Sequence, residues 1–254
     1  DSSTSRGLGD VYKRQKLEST KIQSFFAISD GISLMNMLCG FISILLAINH
    51  NFELSAILMI IAIMFDSVDG WVARKINRND KLKFGQNIDS LSDAISFGAA
   101  PAVFLYTISS TIPHNLSILP AIISLLILAC GVLRLTRYNA IADYIQTHDF
   151  IGFPIPGIAI ILATFYLSGL FNIYIALILM TIVSLLMISN VTYPKFDNLI
   201  IIGISVVLIV LIILPISLTL FGINIPALIL LIFSLYYLLI NSVSYTHLTL
   251  PTIR

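Results

Sequence analysis

Charged side chains are scarce in this sequence of 254 residues. Asp, Glu, Lys and Arg together make up 11% of it and 57% of the residues are hydrophobic, whereas charged residues account for roughly a quarter of an average soluble domain. The mean hydropathy is +0.97. These numbers exclude a water-soluble domain with a single core and an intrinsically disordered chain. The composition is typical of a polytopic membrane protein.

The sequence also lacks an excess of basic residues, and it contains only two cysteines. Lys and Arg number 14 against 13 for Asp and Glu. Such a chain has no cationic surplus for the phosphates of a nucleic acid, so no nucleic-acid partner is expected. Cys39 and Cys130 each lie inside an apolar run. They are interpreted as packing residues, which leaves no disulfide framework or thiolate metal site.

The two ends of the chain resemble translated sequencing adapter. Back-translation of residues 10–15 and 243–248 gives DNA sequences that are reverse complements of each other in a shifted frame. The flanking runs SRGLGDVYKRQ and VSYTHLTLPT resemble the adapters of a transposon-based sequencing kit. Residues 1–15 and 243–254 are therefore expected to be adapter-derived, and the fold is predicted from residues 16–242 alone.

Apolar runs of about 20 residues, the length that crosses a bilayer, recur along the remaining chain. Eight such spans are predicted, with short polar connections between them. They lie near residues 28–49, 53–74, 88–111, 117–139, 155–170, 172–192, 199–220 and 223–241. The sequence therefore predicts an all-α polytopic membrane protein.

Basic residues fall on one side of the predicted membrane. If the eight spans alternate in direction, every Lys and Arg of residues 16–242 lies near the N-terminus or at an even-numbered connection. Connections rich in Lys and Arg face the cytoplasm. We expect a multi-pass protein of the cell membrane whose N-terminus and even-numbered connections are cytoplasmic.

Four aspartates interrupt the second and third spans. Asp66 and Asp69 lie on one helical stripe, and Asp89 and Asp93 follow at i and i+4 on the next helix. An antiparallel helix pair can bring these faces together, where the carboxylates repel one another unless divalent cations neutralise them. Oxygen ligands suit Mg²⁺ or Mn²⁺, and the lack of neighbouring His or Cys argues against zinc. The spacing therefore predicts a metal site.

Small residues and one arginine accompany the acids. Gly70, Ala73 and Gly85 occupy the same helix faces, where the lack of side-chain bulk lets a flat or phosphate-bearing ligand approach. Arg74 supplies a guanidinium fork that can hold an anion. A phosphorylated ligand is therefore expected beside the metal site.

These positions resemble the signature of the CDP-alcohol phosphotransferases, D-x-x-D-G-x-x-A-R followed by G-x-x-x-D-x-x-x-D. All eight specified positions match. The connection between Arg74 and Gly85 is longer than is usual in that family, which puts the nucleotide contacts of this loop in question. The resemblance implies a six-helix catalytic core within residues 16–196, two additional C-terminal helices within residues 197–242, and a homodimer.

The resemblance also assigns roles to the matched residues. It implies two divalent metal ions, Mg²⁺ or Mn²⁺, and gives Asp93 the position of the family's general base. Ser33 and Asn36 on the first span are candidates for phosphate contact, with hydrogen bonding between helices as the alternative. The implied metal ligands are Asp66, Asp69, Asp89 and Asp93, and the implied CDP-binding residues are Gly70, Ala73, Arg74, Gly85, Ser33 and Asn36.

Further segments resemble the membrane phosphatidylserine synthase branch of the family. They comprise residues 89–101, 134–139, 150–156 and 189–196. The start of the first span, residues 29–36, resembles the archaeal members, the archaetidylserine synthases. The resemblance implies transfer of a phosphatidyl-type group from CDP-diacylglycerol or CDP-archaeol to the hydroxyl of L-serine, with release of CMP.

The carboxylate of serine requires a paired cation. Arg134 and Arg137, at i and i+3 on the fourth span, and Lys195 are predicted to bind it, and anchoring at membrane lipid headgroups is the alternative. Two other functions stay open. One is the same chemistry with glycerol phosphate or inositol phosphate as the acceptor. The other is cation transport, because carboxylates within a membrane also mark ion pathways.

Overall fold

The computed structural model describes residues 26–76, 83–113, 118–141, 150–194, 199–214, 218–220 and 222–248. Helices form most of this part of the chain, which confirms the predicted all-α class. In chain order they are α1 (Ile28–Ile48), α2 (Phe52–Ile76), α3 (Phe84–Asp93), a π-helical segment (Ala94–Ala99), α4 (Ala100–Thr111), α5 (Leu119–Ile141), α6 (Ile155–Leu167), α7 (Ile173–Ile188), α8 (Leu199–Ile213) and α9 (Ile225–Leu248).

Two short antiparallel strand pairs connect helices at opposite ends of the bundle. The first pairs β1 (Phe150–Ile151), before α6, with β2 (Thr192–Tyr193), after α7. The second pairs β3 (Thr219–Leu220) with β4 (Ile223–Asn224) and leads directly into α9. The first pair ties the start of α6 to the end of α7.

α3, the π-helical segment and α4 are continuous and count as one segment, Phe84–Thr111. With this segment counted once, the described residues contain eight apolar helical segments, at the positions of the eight predicted spans. Among the described residues, four segments are long and apolar enough to cross a membrane: Ile28–Ile48, Phe52–Ala73, Phe84–Thr111 and Leu119–Ile141. The other four are shorter apolar helices: Ile155–Leu167, Ile173–Ile188, Gly203–Ile213 and Ile225–Leu239. The polytopic architecture is confirmed, with shorter helices in its second half than the apolar runs suggested.

The shortening has a local cause between α6 and α7. Gly169 has a φ of +80°, the left-handed conformation that commonly ends a helix. The Asn172 side chain then accepts hydrogen bonds from the backbone N–H groups of Tyr174 and Ile175, which caps the start of α7. Hydropathy does not register such a stop signal, so the predicted span ran on to residue 170.

Polar and apolar side chains are arranged inside out relative to a water-soluble bundle. Large apolar side chains such as Leu125, Leu133 and Ile178 are exposed on the outside, whereas Ser43, Ser55 and Asn36 are buried. The hydroxyls of Ser43 on α1 and Ser55 on α2 lie 2.9 Å apart. An apolar exterior with hydrogen-bonded polar groups inside suits lipid surroundings.

Helix α1 crosses the π-helical segment at close range. A Cβ atom at Gly40 would collide with the backbone of Ser96, and the Ser96 Oγ donates a hydrogen bond of 2.9 Å to the backbone oxygen of Asn36. The π-helical segment begins immediately after Asp93, and π turns are frequent at functional sites. The crossing therefore fixes α1 against the end of α3, next to Asp93.

Candidate active site

Three carboxylates from two helices converge near one end of α2 and α3. One oxygen from each of Asp66, Asp69 and Asp89 lies within 4.8 Å of the others. Asp66 and Asp69 share a face of α2 because they are one helical turn apart, and Asp89 faces them from α3. The convergence of acids from two helices that the sequence predicted is therefore present.

The donor set suits a hard divalent cation. Asp69 is buried, yet its Oδ2 has no hydrogen-bond partner among the residues that the structure describes. A buried acceptor without a donor is destabilising, and a cation at this position would satisfy it. Carboxylate oxygens are the ligands that Mg²⁺ and Mn²⁺ prefer.

Asp93 lies one turn after Asp89 and is also buried. It stands beside the three converging carboxylates and within electrostatic range of Asp66 and Asp89. Its Oδ1 accepts a hydrogen bond of 3.1 Å from the Nδ2 of Asn36 on α1. All four aspartates predicted from the sequence therefore meet, and Asp93 differs from the others in being oriented by a neighbouring amide.

Helix α1 supplies the polar wall opposite the acids. Ser33 and Asn36 are both buried. The Ser33 hydroxyl interacts with Asp69 and donates a hydrogen bond of 3.1 Å to the Ser29 backbone oxygen. Asn36 forms the hydrogen bond between helices that was the alternative to phosphate contact. Its Oδ1, also buried, has no hydrogen-bond partner in the described part of the chain, but an amide oxygen only accepts and cannot bond a phosphate. Phosphate contact by the Asn36 amide nitrogen stays a prediction.

Four of the residues predicted to line the CDP moiety lie on the same two helices as the acids. Gly70 and Ala73 continue the stripe of α2, and Gly85 begins the facing side of α3 one turn before Asp89. Arg74 lies in the last turns of α2, but its side chain and residues 77–82 of the longer connection are outside what the structure describes. The CDP-binding assignment of these residues stays a prediction.

The two arginines of α5 have different surroundings. Arg134 is buried, with 7% of its surface exposed, and its charge lies within range of Asp93 and Asp66. It is thus a cation inside the bundle next to the acids. Lys195, the third predicted contact of serine, lies outside the described residues.

The guanidinium of Arg137 is engaged by backbone. Its Nη1 donates to the carbonyls of Ile188 and Ser189, both at 3.0 Å, and its Nη2 donates to those of Ile151 at 3.0 Å and Met187 at 3.1 Å. The last carbonyls of a helix have no partner within the helix, so Arg137 caps the end of α7 and ties it to β1. This geometry favours a structural role for Arg137 over contact with serine, which stays a prediction.

A polar contact between α3 and α5 was missed in the sequence. The Nε2 of Gln86 donates a hydrogen bond of 3.0 Å to the Asn139 Oδ1, and the Nδ2 of Asn139 donates one of 2.8 Å to the Ser90 Oγ. Gln86 and Ser90 are four residues apart. Gln86 directly follows Gly85, and Ser90 directly follows Asp89. That i, i+4 polar pair was the available signal. The contact fixes the rotation of α3, and with it the direction of its acids.

The family of the chain follows from comparison with known proteins. Residues 26–188 match the sequence profile of the CDP-alcohol phosphatidyltransferases. The chain belongs to this family. The matched region contains α1 to α7, which are the six apolar segments of the CDP-alcohol phosphatidyltransferase core, and α8 and α9 follow as the two additional helices. The predicted boundary at residues 196 and 197 falls in an undescribed connection.

The chain is similar to several relatives that are named as archaetidylserine synthase or as serine O-phosphatidyltransferases. It is 43% identical over 183 residues to the archaetidylserine synthase of Methanothermobacter thermautotrophicus, covering 72% of this chain and 76% of the relative. It is 40% identical over 178 residues to the CDP-diacylglycerol–serine O-phosphatidyltransferase of Methanocaldococcus jannaschii, covering 70% and 78%. The Bacillus subtilis protein of the same name is 33% identical over 168 residues, covering 66% and 89%.

Proposed function

We propose that this protein transfers a phosphatidyl-type group from a CDP-lipid to the hydroxyl of L-serine and releases CMP. The observation that carries the proposal is the convergence of Asp66, Asp69 and Asp89 beside Asp93, in a chain whose relatives bear the names of serine phosphatidyl and archaetidyl transferases. CDP-diacylglycerol and CDP-archaeol are both proposed donors, because the names of the relatives divide between the two lipid types.

The converging carboxylates are proposed to hold two divalent cations, Mg²⁺ or Mn²⁺. The carboxylates of Asp69 and Asp93 differ in what they offer a metal. Asp69 presents a buried oxygen without a donor, whereas Asp93 has one oxygen engaged by Asn36. When bound, such ions would neutralise the diphosphate of the donor and the charge that develops on its phosphoryl oxygens.

Asp93 is the proposed general base. As the serine oxygen forms its bond to the β-phosphorus of the CDP-lipid, the serine hydroxyl proton passes to the Asp93 carboxylate. The bond between this phosphorus and the bridging oxygen breaks, and CMP leaves with that oxygen. Asn36 holds the Asp93 carboxylate through Oδ1, so its second oxygen can turn toward the acceptor.

Arg134 is the proposed contact for the carboxylate of serine. It is a buried cation on the α5 side of the acids, and a guanidinium can hold a carboxylate through two parallel hydrogen bonds. An acceptor held there places its hydroxyl near Asp93, because Arg134 and Asp93 already lie within electrostatic range. An acceptor with a phosphate would need additional cations.

The orientation and assembly of the protein complete the proposal. The basic N-terminus and even-numbered connections would place the acidic end of α2 and α3, and therefore the site, on the cytoplasmic side. Because the exterior of the bundle is apolar, membrane lipids would surround the protein. The homodimer is proposed from the family resemblance alone. Cysteines are introduced one at a time at Glu53 and Lys75, on opposite ends of α2, in a variant in which Cys39 and Cys130 are replaced by alanine. Their labelling with a membrane-impermeant reagent in intact cells tests the orientation.

The experiment for the function compares acceptors. Purified protein with Mn²⁺ or Mg²⁺ receives each CDP-lipid together with L-serine, glycerol 3-phosphate or inositol phosphate, and CMP release is measured. We expect release only with serine, its loss in Asp93→Asn, and its retention in Glu53→Gln, which removes an exposed carboxylate outside the site. Release with another acceptor alone would reassign the substrate, and absence of CDP binding would favour the cation transporter.

A further inference from the structure

Helix α9 lies beyond the matched family core but reaches the end of the bundle where Arg137 caps α7. Its Tyr237 is buried, with 8% of its surface exposed. The Tyr237 hydroxyl donates a hydrogen bond of 3.0 Å to the backbone oxygen of Pro194. The residue thus links the added helix to the segment that follows β2, 43 positions earlier in the chain.

The Tyr237 ring belongs to an aromatic cluster with Phe153 and Tyr193. The ring centroids of Tyr237 and Tyr193 are 5.5 Å apart, those of Tyr237 and Phe153 6.0 Å, and those of Phe153 and Tyr193 5.4 Å. Phe153 and Tyr193 are fully buried, and separations of this size are favourable for aromatic pairs. The cluster therefore joins α9 to β2 and to the segment that follows β1.

The β1–β2 pair in turn holds the cap of Arg137 in place. The Gly152 N–H donates a hydrogen bond of 2.8 Å to the backbone oxygen of Val191, and the Phe153 N–H donates one of 3.1 Å to the backbone oxygen of Leu186. Gly152 has a φ of +80°, and a Cβ atom there would collide with the Met187 oxygen and with the Arg137 Nη2. The turn at Gly152 therefore leaves room for the Arg137 guanidinium to reach the backbone carbonyls to which it donates.

We propose that Tyr237 is a positioning residue for the acceptor end of the active site. Its hydroxyl and ring hold the β1–β2 pair, the pair holds the Arg137 cap, and Arg137 lies one turn from Arg134 on α5. Loosening the pair releases this end of α5 and shifts the Arg134 guanidinium relative to Asp93. This inference rests on the proposed function, because it assigns the acceptor subsite to Arg134, and it gives the additional helix α9 a part in catalysis.

The test uses the full chain in lipid nanodiscs and two neighbouring tyrosines. Tyr237→Phe removes only the hydroxyl, and Tyr236→Phe makes the same change on a side chain that is 63% exposed on the outside of α9. The Michaelis constants for L-serine and for the CDP-lipid are measured separately. We expect Tyr237→Phe to raise the KM for serine roughly two- to tenfold, the effect of one hydrogen bond, and to leave the KM for the CDP-lipid unchanged. Tyr236→Phe should change neither constant.

A second readout does not depend on the acceptor. Hydrogen–deuterium exchange of peptides that cover residues 150–156 reports on the amides of Gly152 and Phe153. Faster exchange there in Tyr237→Phe, but not in Tyr236→Phe, supports the link from α9 to the β1–β2 pair. Unchanged exchange, or an unchanged KM for serine, overturns the inference. A wild-type protein without serine-dependent turnover would instead contradict the proposed function, and the exchange experiment would then decide the role of Tyr237 by itself.

Discussion

Asn36 on α1 donates a hydrogen bond of 3.1 Å from its Nδ2 to the Oδ1 of Asp93 on α3. The backbone of Asn36 is held in turn, because its oxygen accepts a hydrogen bond from the Ser96 Oγ in the π-helical segment. The amide that orients the proposed general base is thus fixed by the turn that follows the base. α1 and the α3 rod form one unit around Asp93.

Substitution of Asn36 separates orientation of the base from contact with the donor. If Asn36 acts mainly on Asp93, Asn36→Ala lowers kcat roughly 10- to 100-fold, the effect of one hydrogen bond to a charged group, and leaves CDP affinity unchanged. If it mainly contacts phosphate, CDP affinity falls instead. Steady-state kinetics together with CDP titration distinguish the two, and we expect the first result. Ser43→Ala, which removes a buried hydroxyl far from the acids, is the control.

The crossing at Gly40 is expected to tolerate no side chain. Gly40→Ala places a methyl group against the backbone of Ser96, and overpacking of this kind costs about 1–3 kcal/mol. We expect a lower melting temperature and a lower kcat, because α1 must move away from Asp93. Gly203→Ala on α8 is the matched control, since a Cβ atom there has no neighbour within 4 Å. Equal melting temperatures of the two variants would contradict the packing argument.

Metal binding should reverse the stability order of wild type and Asp69→Asn. Without divalent cations, the variant is expected to melt at a higher temperature, because it has one fewer of the carboxylates that repel one another. With Mg²⁺ or Mn²⁺, wild type gains stability that rises with the logarithm of the free ion concentration above the Kd, whereas the variant gains little. Thermal unfolding with EDTA and across a metal titration measures both effects. An identical metal-induced shift in both proteins would exclude Asp69 as a ligand.

The two arginines of α5 should differ in what their loss changes. Arg134→Gln is expected to raise the KM for serine at least tenfold, the scale of one charge-assisted hydrogen bond. Arg137→Gln leaves the carbonyls at the end of α7 without their donors and is expected to lower the melting temperature. The prediction for Arg137 is wrong if its variant melts like wild type and loses only serine affinity.

Much of the site follows from local spacing. The four aspartates face one another because offsets of three and four residues define a helix face, and the short connection between α2 and α3 makes these helices antiparallel neighbours. The positions of the eight helices follow from apolar runs, because the lipid environment requires them. Neither conclusion depends on contacts between distant parts of the chain.

Other features depend on tertiary contacts that spacing does not encode. The cap formed by Arg137 requires the turn at Gly152, and the bond from Tyr237 to Pro194 joins segments that are far apart in the sequence. From the sequence, Arg134 and Arg137 were equivalent, because i and i+3 positions on one helix share a face. Their surroundings differ because only Arg137 lies level with the end of α7.

Incorporation of labelled L-serine into lipid, measured together with CMP release, tests whether serine is the acceptor. With a CDP-lipid and Mn²⁺ or Mg²⁺, we expect one serine incorporated for each CMP released, and loss of both in Asp93→Asn. Release of CMP without serine in the lipid product would contradict the assignment of serine as the acceptor. Equal turnover in Asp93→Asn and wild type would contradict the role of the carboxylate that Asn36 orients.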